Sequence, residues 1–350
     1  MKILSLFDGM ACGALAMQAA GIEIDKYIAY EVDKYAMQTA QHNFPFIEER
    51  GDVFKADFTE YAGFDYLIGG SPCTYWSIAQ TKNRETVASG MGWELFSQYV
   101  RALHEAKPRF FLYENNKSMS AAIRESITET FGFEPILINS ALVSAQNRQR
   151  LYWCGIRQAD GTYKKADIQQ PADRGILLKD IIETNAVTWQ EKAYTYTTRC
   201  QGAIIENTLE KHQHTMVAEP ICLNPKSGRA GVEGLQPSLQ DRVYDTAGKM
   251  PAVTTSFKPK IAEPLRENEA TKDVPIYEVK DGYITVKGNK YPIKLVDGFY
   301  IIRKLTVREC MRLQTVPEWY EWPVSKSQAY KMLGNGWTVE VIAHLLRGLK

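Results

Sequence analysis

The first 155 residues alternate short apolar runs with segments of helical periodicity. Runs of strand length occur at Ile3–Phe7, Tyr27–Tyr30, Tyr66–Ile68 and Phe110–Tyr113, and helical patterns lie between them. Strands that alternate with helices pack as a mostly parallel sheet covered on both faces. The pattern therefore predicts an α/β fold for this part of the chain.

The pattern is interrupted and then resumes near the C-terminus. From about Gln158 the sequence is richer in Thr, Gln, Lys, Pro and Gly, with short β-like runs. A helical pattern returns at Thr306–Leu313, where Thr306 and Glu309 have the spacing of a capping box. We expect a core formed by residues 1–157 and 301–350, and a smaller inserted domain at 158–300.

Charge and composition limit the functional classes. Lys and Arg number 42 against 41 Asp and Glu, so the net charge is +1. This excludes a histone-like protein held to DNA by bulk charge, but it allows a local DNA-binding patch. The six cysteines are scattered without C-x-x-C spacing, so we expect neither a disulfide framework nor a metal site.

No apolar run approaches the length of about 18 residues that a membrane span needs. The N-terminal apolar run ends at Asp8 and is shorter than the roughly 7 residues of a signal-peptide core. We therefore expect a cytoplasmic protein without a membrane partner.

A glycine-containing turn, Phe7–Gly13, follows the first predicted strand. In such a turn, backbone N–H groups at a helix N-terminus can contact a ligand. Glu31 ends the second strand, where an acid meets ribose hydroxyls in doubly wound folds. Ala11 stands where a dinucleotide fingerprint has its second glycine, so a nucleoside without a pyrophosphate remains possible. An ordinary turn explains this segment alone equally well.

Three further segments carry chemically active side chains near predicted strands. Cys73 follows a Gly-Gly-Ser-Pro turn, which could present a thiolate at the end of a parallel strand, although a lone cysteine is more often buried and inert. Glu114 ends the next strand with Asn115, and a cap or turn role is the simpler explanation of that pair. Arg148 and Arg150 alternate with Gln146, so we expect them to project from one strand face toward a phosphate or base edge, or to line a solvated edge strand.

Together these segments resemble the cytosine-5 DNA methyltransferases, in the order in which that family has them. The matching residues are the loop Phe7–Gly13, Glu31, Asp52, Pro72-Cys73, Glu114-Asn115, Gln146–Arg150, Arg303–Gln314 and Gly334-Asn335. The sequences of these motifs are most similar to those in the catalytic domain of the eukaryotic de novo enzymes. The absence of extra regulatory domains is more similar to a bacterial or phage enzyme. The resemblance implies a Rossmann-like S-adenosylmethionine-dependent methyltransferase core with a smaller target-recognition domain at 158–300.

The resemblance assigns a cofactor role to seven residues. S-adenosylmethionine would be the methyl donor, with Phe7 stacked on adenine in the loop that Gly9 and Gly13 shape. Glu31 would bind the ribose hydroxyls, Asp52 the adenine N6 and Asn335 the methionine end, with Pro72 between cofactor and base. Val32 stands where an aromatic residue often stacks on adenine, which is a departure from the commoner pattern.

The resemblance also assigns the catalytic roles. Cys73 would add to C6 of cytosine, Glu114 would bind the N3/N4 edge and protonate N3, and Arg150 would hold O2 with support from Arg148. Because C6 is inaccessible in a stacked duplex, double-stranded DNA would be bound with the cytosine flipped out.

Other parts of the chain would serve the DNA substrate. The segment Ala79–Gly92 resembles the family's mobile loop, and Asn224–Arg229 and Ser256–Lys260 carry residue types that contact phosphates and base edges. The resemblance implies a protein acting as a monomer, and a cognate restriction endonuclease would act separately.

Three alternatives remain. The nearest is a tRNA cytosine-5 methyltransferase of the same fold, although the Cys-Phe-Thr tripeptide typical of those enzymes is missing here. A catalytically inactive DNA-binding subunit would be expected to lose Cys73 or the Glu114-Asn115 pair. A nicotinamide-dependent oxidoreductase is opposed by the failed glycine fingerprint.

Overall fold

The computed structural model describes residues 1–77, 84–183, 186–198, 203–220, 243–244, 260–261 and 275–349. The chain divides into two compact units. One comprises Met1–Ile176 with Met311–Lys350, and the other comprises Leu177–Cys310. The sequence placed the corresponding boundaries near residues 157 and 300.

An eight-stranded sheet forms the centre of the first unit. Seven strands follow the order β3-β2-β1-β4-β5-β7-β6, and β8 pairs with β7. Strands β1 to β5 are parallel to one another, whereas β7 runs antiparallel to β5, β6 and β8. Their bounds are β1 Lys2–Leu6, β2 Lys26–Tyr30, β3 Ile47–Glu49, β4 Tyr66–Gly69, β5 Phe110–Asn116, β6 Ile136–Asn139, β7 Gln149–Arg157 and β8 Tyr163–Lys165.

The first four helices lie between strands of this sheet, and several helices begin at side chains that cap them. Asp33, the predicted cap of the second helix, accepts a hydrogen bond from Tyr35 N–H over 3.0 Å. The helices are α1 Cys12–Ala19, α2 Lys34–Asn43, α3 Gly90–Ala106, α4 Ala121–Phe131, α5 Ile205–Lys211, α6 Val307–Leu313, α7 Lys326–Asn335 and α8 Val339–Gly348. Within the described ranges, no helix combines the length and apolar character needed to cross a membrane.

The strand order determines where a ligand can bind. The chain proceeds from β1 outward to β3 on one side and from β4 to β5 on the other, so the order reverses beside β1. In open α/β sheets, ligands bind beyond the carboxyl ends of the strands at such a reversal. Phe7, Glu31 and Gly70 leave β1, β2 and β4 at this edge. Since β7 is antiparallel, its first residues reach the same edge, and Arg150 lies opposite Asn116.

The second unit contains an antiparallel five-stranded sheet in the order β14-β13-β12-β15-β9. Asp281 and Gly282 join β12 to β13 with φ of 53° and 77°, the left-handed conformation that tight hairpin turns require. The strands are β9 Met216–Pro220, β10 Val243–Tyr244, β11 Lys260–Ile261, β12 Ile276–Lys280, β13 Tyr283–Val286, β14 Asn289–Pro292 and β15 Gly298–Lys304. Strands β10 and β11 pair separately.

A buried ionic cluster lies at the end of β15. The Arg303 guanidinium donates to the carboxylate of Glu309 over 2.8 and 3.0 Å and also to Glu219. Glu309 is fully buried and accepts from Thr306 N–H over 2.7 Å, while its own N–H donates to the Thr306 hydroxyl. This reciprocal pair confirms the predicted capping box.

Candidate active site

A cavity of about 190 Å³ lies at the carboxyl edge of the first unit's sheet. Its walls come from the loop after β1, the ends of β2, β4 and β5, the start of β7, and helix α7 with the residues after it. The lining includes eight of the eleven predicted site residues, namely Phe7, Gly9, Glu31, Pro72, Glu114, Arg148, Arg150 and Asn335.

The loop after β1 has an unusual backbone. Phe7, Gly9 and Ala11 have φ of 59°, 61° and 60°, a region that non-glycine residues rarely occupy. Phe7 N–H donates to Tyr30 O over 2.8 Å, which ties the loop to the end of β2. The loop is thereby held at the floor of the cavity.

Glu31 organises this half of the cavity. One of its carboxylate oxygens accepts from Gly9 N–H over 2.9 Å, and the other accepts from the N–H groups of Val32 and Asp33 over 2.8 Å each. Val32, at the position where the family often has an aromatic residue, is 72% exposed. Glu31 therefore links the ends of β1 and β2.

Asp8 is a cavity residue that the sequence analysis overlooked. Its Oδ1 accepts hydrogen bonds from Ser5 Oγ and Tyr27 OH over 2.5 and 2.6 Å. Its Oδ2 is buried without a hydrogen-bond partner. Burial raises the pKa of Asp8 to about 6, against the opposing effect of the two hydrogen bonds. The available signal was an aspartate placed directly after the mostly apolar run Ile3–Phe7.

Two predicted cofactor residues, Gly13 and Asp52, do not line the cavity. A Cβ on Gly13 would lie 2.5 Å from Ile68 Cδ1 and from Tyr27 OH, so this glycine allows α1 to pack closely on the sheet. The Asp52 carboxylate accepts from Phe54 N–H over 3.0 Å and begins a short 3-10 helix at Val53–Lys55.

The segment after β4 carries the predicted nucleophile. The exposed Pro72 lines the cavity, and the backbone of Cys73 begins a 3-10 helix, Cys73–Tyr75. The Cys73 side chain lies outside the described part of the structure. A Cβ on Gly70 would lie 2.8 Å from Glu114 O and 2.9 Å from Glu114 Oε2, so only glycine allows β4 and β5 to end this close together.

Glu114 is held by two donors. Its Oε1 lies 3.1 Å from Arg150 Nε, and its Oε2 accepts from Trp337 Nε1 over 3.0 Å. The side chains of Glu114 and Arg150 are 12% and 14% exposed, so this ion pair is largely shielded from water. Sequence reasoning missed Trp337, although it lies two residues after the predicted Asn335.

Asn115 joins the two strand ends below the cavity. Its side-chain amide donates to Ser71 O over 3.2 Å and to the Tyr113 hydroxyl over 3.2 Å. The Tyr113 and Ser71 hydroxyls are themselves hydrogen bonded over 2.7 Å. Asn115 thus fixes the residue that precedes Pro72-Cys73 against the strand that carries Glu114.

The predicted common strand face of Gln146, Arg148 and Arg150 is wrong. Strand β7 begins only at Gln149, and both Gln146 and Arg148 are buried. Arg148 donates to the carbonyl oxygens of Gly334 and Gly336 over 3.3 and 2.9 Å. Its guanidinium therefore fixes the segment that carries Asn335 and Trp337. The alternative of a solvated edge strand is also wrong, since β7 lies between β5 and β6.

The rim of the cavity carries an ion pair, and the walls include no metal cluster. Lys331 Nζ of α7 lies 2.7 Å from Asp33 Oδ2, and both residues line the cavity. In the part of the chain that the structure describes, no group of three His, Cys, Asp or Glu residues is placed to hold a metal ion. Most of the segments that were predicted to serve the DNA substrate lie outside the described residues. These are residues 79–83 of the predicted mobile loop, Asn224–Arg229, and residues 256–259 of Ser256–Lys260.

The comparison with known proteins identifies the family. A family model for C-5 cytosine-specific DNA methylases matches residues 1–350. The chain belongs to this family. It is 26% identical over 431 residues to the orphan methyltransferase M.SPRI of Bacillus phage SPR, covering 100% of this chain and 97% of that protein. The type II methyltransferase M.FnuDI of Fusobacterium nucleatum is 25% identical over 376 residues, covering 100% and 94%.

Solved structures support the fold. The S. pombe Dnmt2 methyltransferase aligns with a TM-score of 0.54 at 14% identity, covering 100% of this chain and 98% of its own. A putative DNA modification methyltransferase from an E. coli prophage aligns with a TM-score of 0.51 at 18% identity, covering 100% and 98%. The predicted Rossmann-like methyltransferase fold is confirmed, and family membership makes this chain an S-adenosylmethionine-dependent DNA methyltransferase.

Proposed function

We propose that the chain methylates C5 of a cytosine flipped out of a short specific sequence in double-stranded DNA, through a covalent bond between Cys73 and C6. One observation carries this proposal. The Glu114–Arg150 ion pair and the Pro72 that precedes Cys73 line the same cavity as Phe7, Gly9 and Glu31. The proposed base-binding carboxylate, the turn that carries the proposed nucleophile and the proposed nucleoside-binding edge would then be adjacent.

The cofactor half suits S-adenosylmethionine. Asp8, Glu31 and Asp33 line it, and the buried Asp8 Oδ2 has no hydrogen-bond partner. Carboxylates favour a ligand with hydroxyl, ammonium and sulfonium groups over one with phosphates. Bound here, the cofactor would supply an electrophilic methyl group.

The proposed contacts follow the lining of the cavity. Phe7 would stack on adenine beside Gly9, Glu31 would bind the ribose hydroxyls, and Asn335 would contact the methionine end. Pro72 would separate cofactor from base. Asp52 remains the proposed partner of adenine N6, and Gly13 acts through the packing of α1.

The chain's own residues would activate the base. The Cys73 thiolate adds to C6, and Glu114 delivers a proton to N3 while holding N4, which makes C5 an enamine carbon able to accept a methyl group. Arg150 holds O2 and orients Glu114, and Arg148 fixes the segment that carries Asn335 and Trp337. Transfer of the C5 proton to a base such as water, release of Cys73 as a thiolate and return of the N3 proton to Glu114 would then restore the aromatic ring as 5-methylcytosine.

Bisulfite sequencing tests this proposal directly. A bacterial host without cytosine methylation would express the wild-type chain, Cys73→Ala or Cys154→Ala. Cys154 is the matched control because it is buried in β7 and does not line the cavity. We expect protected cytosines at one short motif with the wild type and Cys154→Ala, and none with Cys73→Ala. Full protection with Cys73→Ala would overturn the covalent mechanism.

Substrate choice forms the second part of the proposal. Residues 158–300 would read the DNA sequence, so exchanging them for those of a relative should change the protected motif. The chain would act as a cytoplasmic monomer, and any cognate restriction endonuclease would act separately. If folded protein binds S-adenosylmethionine but protects no DNA cytosine, the result favours an RNA substrate or a missing partner, and host tRNA is the next material to sequence.

A further inference from the structure

Two charged residues outside the cavity hold the segment that follows Cys73. Trp76, directly after the 3-10 helix Cys73–Tyr75, is fully buried. Its indole Nε1 donates to Glu85 Oε2 over 3.0 Å, and Glu85 N–H donates to Tyr75 O over 2.9 Å. Glu85 therefore contacts both residues that end this turn, through its side chain and its backbone.

Glu85 also attaches this segment to α3. Gly92 N–H, in the first turn of that helix, donates to the two Glu85 carboxylate oxygens over 3.2 and 3.1 Å. A carboxylate is favourable there because the first N–H groups of a helix have no partner within it. A Cβ on Gly92 would lie 2.5 Å from Glu85 Oε2 and from Trp76 Nε1. The three groups are thus packed without space for another atom.

Arg84 makes the second connection. Its Nε donates to Trp76 O over 3.2 Å, and its Nη2 donates to Ser118 O over 2.8 Å. The Ser118 hydroxyl donates to Asn116 Oδ1 over 2.8 Å, and Asn116 is the last residue of β5, the strand that carries Glu114. One guanidinium therefore joins the nucleophile's turn to the segment after β5.

We propose that Arg84 and Glu85 are positioning residues, which set the backbone of Cys73–Tyr75 relative to Glu114 so that the thiol faces C6 while the carboxylate faces N3. This inference rests on the proposed function. Neither residue lines the cavity. Arg84 therefore acts through Trp76 and Ser118, and Glu85 acts through Trp76, rather than by touching the base or the cofactor. A displacement of about 1 Å at reacting groups can lower a rate about 100-fold.

Two conservative variants test the proposal. Arg84→Lys keeps the charge but removes the planar fork that reaches two carbonyl groups. Glu85→Gln keeps the size of the side chain, but an NH₂ group replaces one of the two oxygens that accept hydrogen bonds from Trp76 Nε1 and Gly92 N–H. The matched controls are Arg124→Lys and Glu94→Gln, both exposed positions on helices α4 and α3. Kinetics, affinities for S-adenosylmethionine and for duplex DNA, and thermal unfolding would be measured for all four.

We expect kcat to fall about 10- to 100-fold in Arg84→Lys and Glu85→Gln, with both affinities within about 2-fold of wild type. The formation of a covalent adduct with duplex DNA containing 5-fluorocytosine, which cannot lose a proton from C5, should slow by the same factor. Both controls should match the wild type. Wild-type kcat in both variants, or a fall in kcat matched by weaker binding, would overturn the proposal.

Two further results keep the outcomes separate. If one variant does not fold, the other decides, because Arg84 and Glu85 make different contacts. Cys73→Ala is included in each assay. If it retains methylation, the proposed covalent function fails, whereas an inactive Cys73→Ala beside normal Arg84→Lys and Glu85→Gln overturns the positioning role alone.

Discussion

Trp337 Nε1 donates a hydrogen bond to Glu114 Oε2 over 3.0 Å, across 223 positions of sequence. Arg150 holds the other carboxylate oxygen over 3.1 Å. Each oxygen of Glu114 therefore has its own donor, and the orientation of the carboxylate is set by the protein itself. Preorganised groups of this kind need no rearrangement when a substrate binds.

Trp337→Phe should lower the methylation rate about 10- to 100-fold, since a hydrogen bond to a charged group contributes roughly 1.5–3 kcal/mol. The aromatic ring is retained, so the cavity keeps its wall. Single-turnover methylation of duplex DNA measures the effect. Trp319→Phe is the control, because Trp319 is 53% exposed and does not line the cavity. An unchanged rate in Trp337→Phe would show that Arg150 alone orients Glu114.

Gly70→Ala should inactivate the enzyme without unfolding it. The added methyl group would lie 2.8 and 2.9 Å from Glu114 O and Oε2, so the ends of β4 and β5 must separate. We expect a loss of activity of about 100-fold, measured beside circular dichroism and thermal unfolding. Wild-type activity in the folded variant would mean that the strand ends tolerate this separation.

Arg303→Met should destabilise the second unit by about 3–5 kcal/mol, because it leaves the buried Glu309 carboxylate without its cation. Arg308→Gln removes a pair to Glu183 in which Arg308 is 59% exposed, and it should cost less than about 1 kcal/mol. Urea unfolding of both variants checks the contrast. Equal effects would contradict the assigned role of burial.

Asp8 should make stability depend on pH. Its pKa is raised by burial from the ordinary 3.8 to about 6, so the fold favours the protonated form. The contribution of protonated Asp8 to the free energy of unfolding is therefore fully present below pH 3.8 and is lost as the pH rises through about 6. Asp8→Asn should therefore gain stability relative to wild type between pH 4 and 7, by up to about 3 kcal/mol.

The control for that experiment is Asp57, whose pKa is lowered by a hydrogen bond from the Thr59 side chain. Its contribution is present above the ordinary pKa and is lost as the pH falls, so Asp57→Asn should have the opposite pH dependence. Unfolding midpoints from about pH 2 to 7 measure both variants, because the Asp57 contribution changes only below about pH 4. A difference between Asp8→Asn and wild type that does not vary with pH would show that Asp8 does not titrate in this range.

The sequence predicted the parallel part of the sheet and the residues at its strand ends because apolar runs and turns are local signals. Glu31 and Glu114 were found this way. Trp337 was missed because its contact with Glu114 depends on how the end of the chain returns to the sheet. Arg148 was assigned to a strand face because alternation alone does not show where β7 begins. Its burial against Gly334 and Gly336 is a property of tertiary packing.

The wall formed by Lys331, Asn335 and Trp337 has a consequence for biosynthesis. These residues leave the ribosome long after the strands that carry Glu31 and Glu114. A nascent chain that ends before Lys331 therefore has both carboxylates but no closed cavity, and Glu114 lacks its indole donor. The order of translation thus delays assembly of the complete cavity until Trp337 has been synthesised.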